Sequence, residues 1–165
     1  MPHHNTETRP QARIGIVGYG YIGQEVVKRI RTRPADFSLA FVHCRQRERA
    51  FDIDDETFLG DLAGFDQRAP ELIIETAHPQ VTRDHGLAFL SHCDYMPLST
   101  SALIDDALSK ALLRAAQDNG NRLFLAAGAL VGGNELKKRT IPWERARITF
   151  RKHHDNIDFS VSGID

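Results

Sequence analysis

The sequence predicts an α/β fold built as a doubly wound parallel sheet, and two observations carry that prediction. From Arg13 onward, apolar strand-like runs alternate with stretches of helical period, the pattern of parallel strands joined by crossover helices. Gly18, Tyr19, Gly20, Tyr21, Ile22 and Gly23 read G-x-G-x-x-G, directly between the apolar run 13–17 and an amphipathic stretch beginning at Tyr21. A third observation marks where this fold gives way. From Ala146 apolar and polar residues alternate with a period of two, which indicates half-solvated strands and the start of an incomplete second α/β domain.

Taken in order, residues 1–11 hold little to bury and read as a flexible tail; His3 and His4 stand in it without metal-ligand spacing. The first strand, 13–17, leads into a helix over 21–32 whose Ile22, Val26, Val27 and Ile30 form a core face, and Pro34 stops it. Strands follow at 38–43 and 72–76. The polar stretch between them carries a short helix within 57–65. After Pro79 a helix runs over 81–92, then a strand over 95–98. Thr100 or Ser101 is expected to cap a long helix through Gln117, with Leu103, Ile104, Leu108 and Leu112 on its apolar stripe, ended by Asn119-Gly120. An apolar strand at 122–127 precedes a glycine-containing turn, 128–133, and a basic segment ending near Pro142. The domains expected are the tail 1–11, a Rossmann-type nucleotide-binding domain 12–142, and a return strand opening a truncated domain over 143–165. The chain stops in mid-sheet, the pattern of a fragment, a truncated gene product or a module completed by another chain.

At 165 residues there is room for one ordinary domain. The net charge of -1 supplies no bulk field toward nucleic acid or an anionic membrane, so neither is an expected partner. Cys44 and Cys93 lack metal-ligand spacing and are too few for a disulfide scaffold, which fits a reducing cytosol. No apolar run approaches the ~20 residues needed to cross a bilayer. A soluble, cytoplasmic protein without a metal is expected.

The glycine motif carries the chemistry. Gly18 permits a tight turn off the strand, Gly20 lets a pyrophosphate approach the backbone, and Gly23 lets the next helix pack against the sheet. The free N–H groups and positive dipole end of that helix then hold the phosphates. A dinucleotide, NAD or NADP, is the implied cofactor. In an NAD-specific site an acid about 20 positions further on accepts the ribose hydroxyls. No carboxylate stands there; the strand ends in Val42, His43, Cys44 and Arg45. Arg45 is placed to pair with a 2′-phosphate, which favours NADP; alternatively 45–49 is a solvated charged loop.

Ligands of open parallel sheets lie beyond the carboxyl ends of the strands. Three segments converge there: Ala77-His78-Pro79, Ser99-Thr100-Ser101, and Gly128-Ala129-Leu130. His78 is a candidate proton shuttle, or a residue ordering the backbone beside Pro79. The Ser99 and Thr100 hydroxyls suit ribose contact or helix capping equally. Glu75 interrupts an apolar strand, and a buried acid needs a partner. No other constellation competes: the acids at 52–56 lack calcium-loop glycine spacing, Lys137, Lys138 and Arg139 lack interleaved aromatics, and His153, His154 and Asp155 alternate across a strand.

Four motifs together, V-G-Y-G-Y-I-G at 17–23, I-I-E-T-A-H-P at 73–79, S-T-S-A-L at 99–103 and A-A-G-A-L-V-G at 126–132, resemble the aspartate dehydrogenase family, including its animal domain-containing relatives. The resemblance covers residues 13–159. It implies an NAD(P)-dependent oxidoreductase that converts L-aspartate to iminoaspartate, which hydrolyses to oxaloacetate and ammonia. It also implies that Gly18 to Gly23 carry the pyrophosphate and that Ala129 lies near the nicotinamide. Members of the family continue into a second domain that supplies the catalytic histidine, and His153 and His154 fall too early to replace it. A catalytically silent NAD(P) sensor or assembly module is therefore the alternative to an enzyme. Related amino-acid and diaminopimelate-pathway reductases, and assembly as a homo-oligomer, also stay open.

Overall fold

The computed structural model describes residues 10–126, together with Arg147 and Thr149. The chain divides into two units, Met1–Gly128 and Ala129–Asp165; the sheet and helices belong to the first. Four parallel strands, β1 (Ala12–Val17), β2 (Phe37–His43), β3 (Leu72–Glu75) and β4 (Asp94–Pro97), lie in the order β2-β1-β3-β4. Val17 is level with His43 and Glu75, and Glu75 with Pro97, so all four strands end along one carboxyl edge. Single parallel bridges add Phe58 beside Val42 and Leu123 beside Tyr95. With them the spatial order becomes Phe58, β2, β1, β3, β4, Leu123, the order of a doubly wound dinucleotide fold, with its switch point between β1 and β3.

The strands read as mainly apolar runs because helices pack on both faces of the sheet. Helix α1 (Tyr21–Arg31) packs Val27 and Ile30 over Ile14, Ile16 and Val42. On the other face α2 (Pro79–His92) and α3 (Asp106–Asp118) bury Phe89, Leu90 and Leu112 against Val17, Phe41 and Ile73. Each large side chain taken fully out of water contributes ~1.5–3 kcal/mol. Lys28, Arg29 and Arg31 in the last turn of α1 oppose the negative end of its dipole.

Four expectations are corrected. Ile22 is not core: it is 53% exposed, because α1 lies over β1 and β2 and its first turn overhangs an open apolar hollow of about 550 Å³ floored by Ile14, Leu72 and Ile74. The helix expected from Thr100 or Ser101 begins at Asp106. Residues Thr100–Ile104 form a 3-10 turn, and the Asp105 carboxylate caps α3, accepting from the N–H groups of Ala107 (2.9 Å) and Leu108 (3.1 Å). A carboxylate caps at least as well as a hydroxyl and adds charge favourable to the dipole. The short helix expected within 57–65 is confined to a 3-10 turn at Leu62–Gly64, followed by another at Asp66–Arg68, while residues 57–59 pair with β2: Val42 N–H donates to Thr57 O and Leu59 N–H to Val42 O, both at 2.9 Å. Over its described residues, 122–126, the strand expected at 122–127 shrinks to one bridge. Tyr95 N–H donates to Arg122 O (2.9 Å) and Phe124 N–H to Tyr95 O (2.8 Å), while Asp94 holds the Arg122 guanidinium at 2.6 Å. Among the described residues no helix is long and apolar enough to cross a membrane.

Candidate dinucleotide-binding site

At the end of β1 the chain turns at once. Gly18 adopts φ 102°, a region that side chains disfavour, and its N–H donates to His43 O of β2 at 2.8 Å. Gly23 is packed tight: a Cβ there would stand 2.1 Å from Gly18 O and 2.9 Å from Thr76 Oγ1. The Thr76 hydroxyl donates to Gly18 O at 2.8 Å, fastening the turn to the end of β3.

Gly20 differs from its two companions. As the N-cap of α1 it has φ −81° and ψ −165°, which any residue can adopt, and a Cβ on it would meet nothing within 4 Å. Among the described residues no side chain caps the helix, and its first backbone bond is Gln24 N–H to Gly20 O at 2.9 Å. The N–H groups of Tyr21, Ile22 and Gly23 thus have no intrahelical acceptor. Donors without an acceptor among the described residues, a positive dipole end and the missing Cβ coincide at the switch point of the sheet. These residues fit a diphosphate.

Across the switch point, His78 is exposed and caps α2, its Nδ1 accepting from Gln80 N–H at 3.1 Å, with Pro79 as the first helical residue. An Nδ1 that accepts leaves the hydrogen of the neutral ring on Nε2. The remaining nitrogen of His78 therefore offers a donor rather than a base. Ser99 caps no helix with its side chain; its hydroxyl donates to Glu75 Oε1 at 2.9 Å and its N–H to Oε2 at 3.1 Å. The Ser99 oxygen keeps only acceptor capacity for a ligand. Glu75 also accepts from Ala77 N–H at 2.6 Å, so two of the three expected segments are joined. Gly128 and Ala129, in the third, lie outside the described residues.

The family model of the homoserine dehydrogenase NAD-binding domain matches residues 18–126, starting at the first glycine of this turn. The chain belongs to that family. The aspartate dehydrogenase domain-containing protein of Danio rerio is 38% identical over 154 residues, covering 92% of this chain and 56% of the relative. L-aspartate dehydrogenase 1 of Bordetella parapertussis is 31% identical over 121 residues, covering 73% and 46%. Among solved structures, aspartate dehydrogenase from Thermotoga maritima superposes with a TM-score of 0.55 at 21% identity, covering 78% of this chain and 52% of that one. The resemblance read from the four motifs is borne out, and the chain is an NAD-binding dehydrogenase domain related to the aspartate dehydrogenases. It spans about half the length of the curated relatives it matches.

In this NAD-binding domain Arg45 stands two residues beyond β2, exposed, and makes no hydrogen bond or ion pair among the described residues. Arg47 is committed elsewhere, to Ile53 O (2.8 Å), Asp55 Oδ1 (2.7 Å) and the face of Phe58 (4.6 Å). Tyr21 is 91% exposed at the mouth of the turn.

Tyr19 has the opposite role. Its side chain is 4% exposed and its hydroxyl lies 2.7 and 2.9 Å from the two Asp52 oxygens, so only its backbone is available to a ligand. Burial, then Asp52, push its phenol up to about 12. Burial alone would raise the Asp52 carboxyl, but hydrogen bonds from Tyr19 and Arg31 outweigh it and hold the carboxyl below its ordinary value. Tyr19→Phe is expected to cost about 1 kcal/mol by urea unfolding while changing cofactor affinity less than about twofold. A carboxyl lowered by folding contributes stability above its unfolded value and loses it as pH falls through its folded value. The gap between wild type and Tyr19→Phe should therefore narrow below pH ~4.

Sequence reasoning missed Thr76 and Asp52. Strand alternation carried a signal for Thr76, which falls on the face opposite Glu75 at the strand end beside the glycine turn. Asp52 had none, because its partner Tyr19 lies 33 positions away.

Proposed function

We propose that this domain binds NAD(P) along the carboxyl edge of its sheet, as the nucleotide-binding half of an oxidoreductase acting on L-aspartate. The observation that carries this reading is the start of α1, where open amides meet a glycine whose missing Cβ leaves the approach clear. The backbone from Gly18 to Gly23 holds the diphosphate. Ala77, His78, Pro79 and Ser99 wall the ribose on the nicotinamide side, with Nε2–H of His78 as donor and the Ser99 oxygen as acceptor. By family resemblance Gly128 and Ala129 approach the nicotinamide. Bound NAD(P) supplies the hydride acceptor for oxidation of L-aspartate to iminoaspartate, a step of amino-acid metabolism; this chain orients it and excludes water.

NADP is favoured over NAD because β2 ends without a carboxylate and Arg45 keeps its guanidinium uncommitted. Arg45→Ala is expected to weaken NADPH binding about tenfold or more while leaving NADH within about twofold; equal losses would remove the case for a phosphate ligand. Cys44 and Cys93 are free, and burial pushes both thiols up, Cys93 to about 12. Unreactive free thiols suit a reducing compartment, the cytoplasm.

The test is a fluorescence titration of the full chain with NADPH and NADH, followed by an assay of aspartate-dependent NAD(P)+ reduction. Cofactor binding is the expected result; aspartate-dependent turnover in addition would assign the reaction itself to this chain. Binding without turnover makes the chain a silent NAD(P) module, and failure to bind either cofactor overturns both readings.

A further inference from the structure

Glu75 is an acid in the floor of an apolar core. Its side chain is 0% exposed at the end of β3, in the same layer as Ile73, Tyr95 and Phe89. An isolated polar group in such a place costs several kcal/mol. Filling the core calls for no acid there, since Ile73 does so two residues earlier on the same face.

Donors from two separate loops converge on its oxygens. Oε1 takes Ala77 N–H (2.6 Å) and the Ser99 hydroxyl (2.9 Å), and Oε2 takes Ser99 N–H (3.1 Å). The backbone adds Leu98 N–H to Glu75 O at 2.9 Å. Tyr95, packed in the same layer, spends its hydroxyl on Thr82 at 2.8 Å. Glu75 makes no ion pair among the described residues. The next residue, Thr76, fastens the glycine turn to the same strand end. Positions 75–77 are thus the junction at which the loops following β1, β3 and β4 are joined.

The geometry points to Glu75 as a positioning residue for the nicotinamide half of the cofactor. Its carboxylate locks Ala77, His78 and Ser99 into one wall and tightens binding of that half without touching the ligand. The inference rests on the NAD(P) reading above. The dinucleotide extends across the switch point, and the adenosine end, over the glycine turn and Arg45, lies on the far side of β1 from this wall. Loss of the carboxylate should therefore separate the two halves of the ligand.

Glu75→Gln keeps the shape but sets an NH2 group against an N–H donor. Isothermal titration of the full chain with NADPH and with 2′,5′-ADP reads the effect. NADPH affinity is expected to fall about tenfold, with 2′,5′-ADP unchanged within about twofold. Unchanged NADPH affinity, or equal losses for both probes, overturns the assignment. Should Glu75→Gln fail to fold, Ser99→Ala takes its place, read by amide hydrogen exchange at Ala77, a residue that no hydrogen bond connects directly to Ser99. Faster exchange at Ala77 together with weaker NADPH binding supports the coupling through Glu75, and unaltered exchange there overturns it. Wild-type protein that binds neither probe defeats the cofactor reading itself. Wild-type binding with an indifferent Glu75→Gln defeats only this inference.

Discussion

Gly20→Asp is expected to make the domain more stable and to abolish dinucleotide binding. The backbone there already has the extended geometry of a capping residue, and a Cβ on it would meet nothing within 4 Å among the described residues. Aspartate would accept the free amides of the first turn and place negative charge at the positive end of α1, gains together of about 0.5–1 kcal/mol. Those amides are the ones proposed for the diphosphate, and the added carboxylate repels it. Affinity for NADPH and NADH should fall about 100-fold or more, while the midpoint of thermal unfolding rises by a few degrees. Opposite signs distinguish this from ordinary damage to the fold. Retained affinity would show that the diphosphate does not lie at this helix start.

Gly23→Ala should do the reverse. A single methyl group there would lie 2.1 Å from Gly18 O, and that carbonyl cannot retreat freely. Gly18 N–H is bonded to His43 O, and Gly18 O receives the Thr76 hydroxyl. The contact forces α1 away from the sheet, at a cost of about 3 kcal/mol in urea unfolding. Gly20→Ala, three residues earlier, should cost less than about 1 kcal/mol. Equal stability of the two variants would contradict the packing described for the turn.

Much of this fold was legible because parallel strands with helices packed on both faces of their sheet leave nearly continuous apolar runs, as at Ile14, Ile16 and Val17 or at Ile73 and Ile74. The glycine turn was legible because its three glycines answer three separate steric demands. Elements whose ends depend on competition between neighbours were not. Thr100 and Asp105 both offer a cap, and only the folded chain shows the carboxylate winning. Residues 57–59 pair with Val42 across a distance no local pattern records. At the site, Glu75 announced its need for a partner, but Ser99 and Ala77 could be named only once β3 and β4 lay side by side. Tyr19 sat within the motif and still turned its ring away, toward an acid far along the chain.

Among the described residues the outer flank of β2 is paired at one point, where Val42 is bridged to Phe58 through bonds to Thr57 and Leu59, before the chain departs into 3-10 turns. A strand arriving from another molecule would meet that short, irregular segment across the end of β2 before it could run the full length of the edge. A chain with inner strands this greasy is otherwise a template for fibril-like growth. Along that flank, brevity and irregularity work as a guard against runaway self-association.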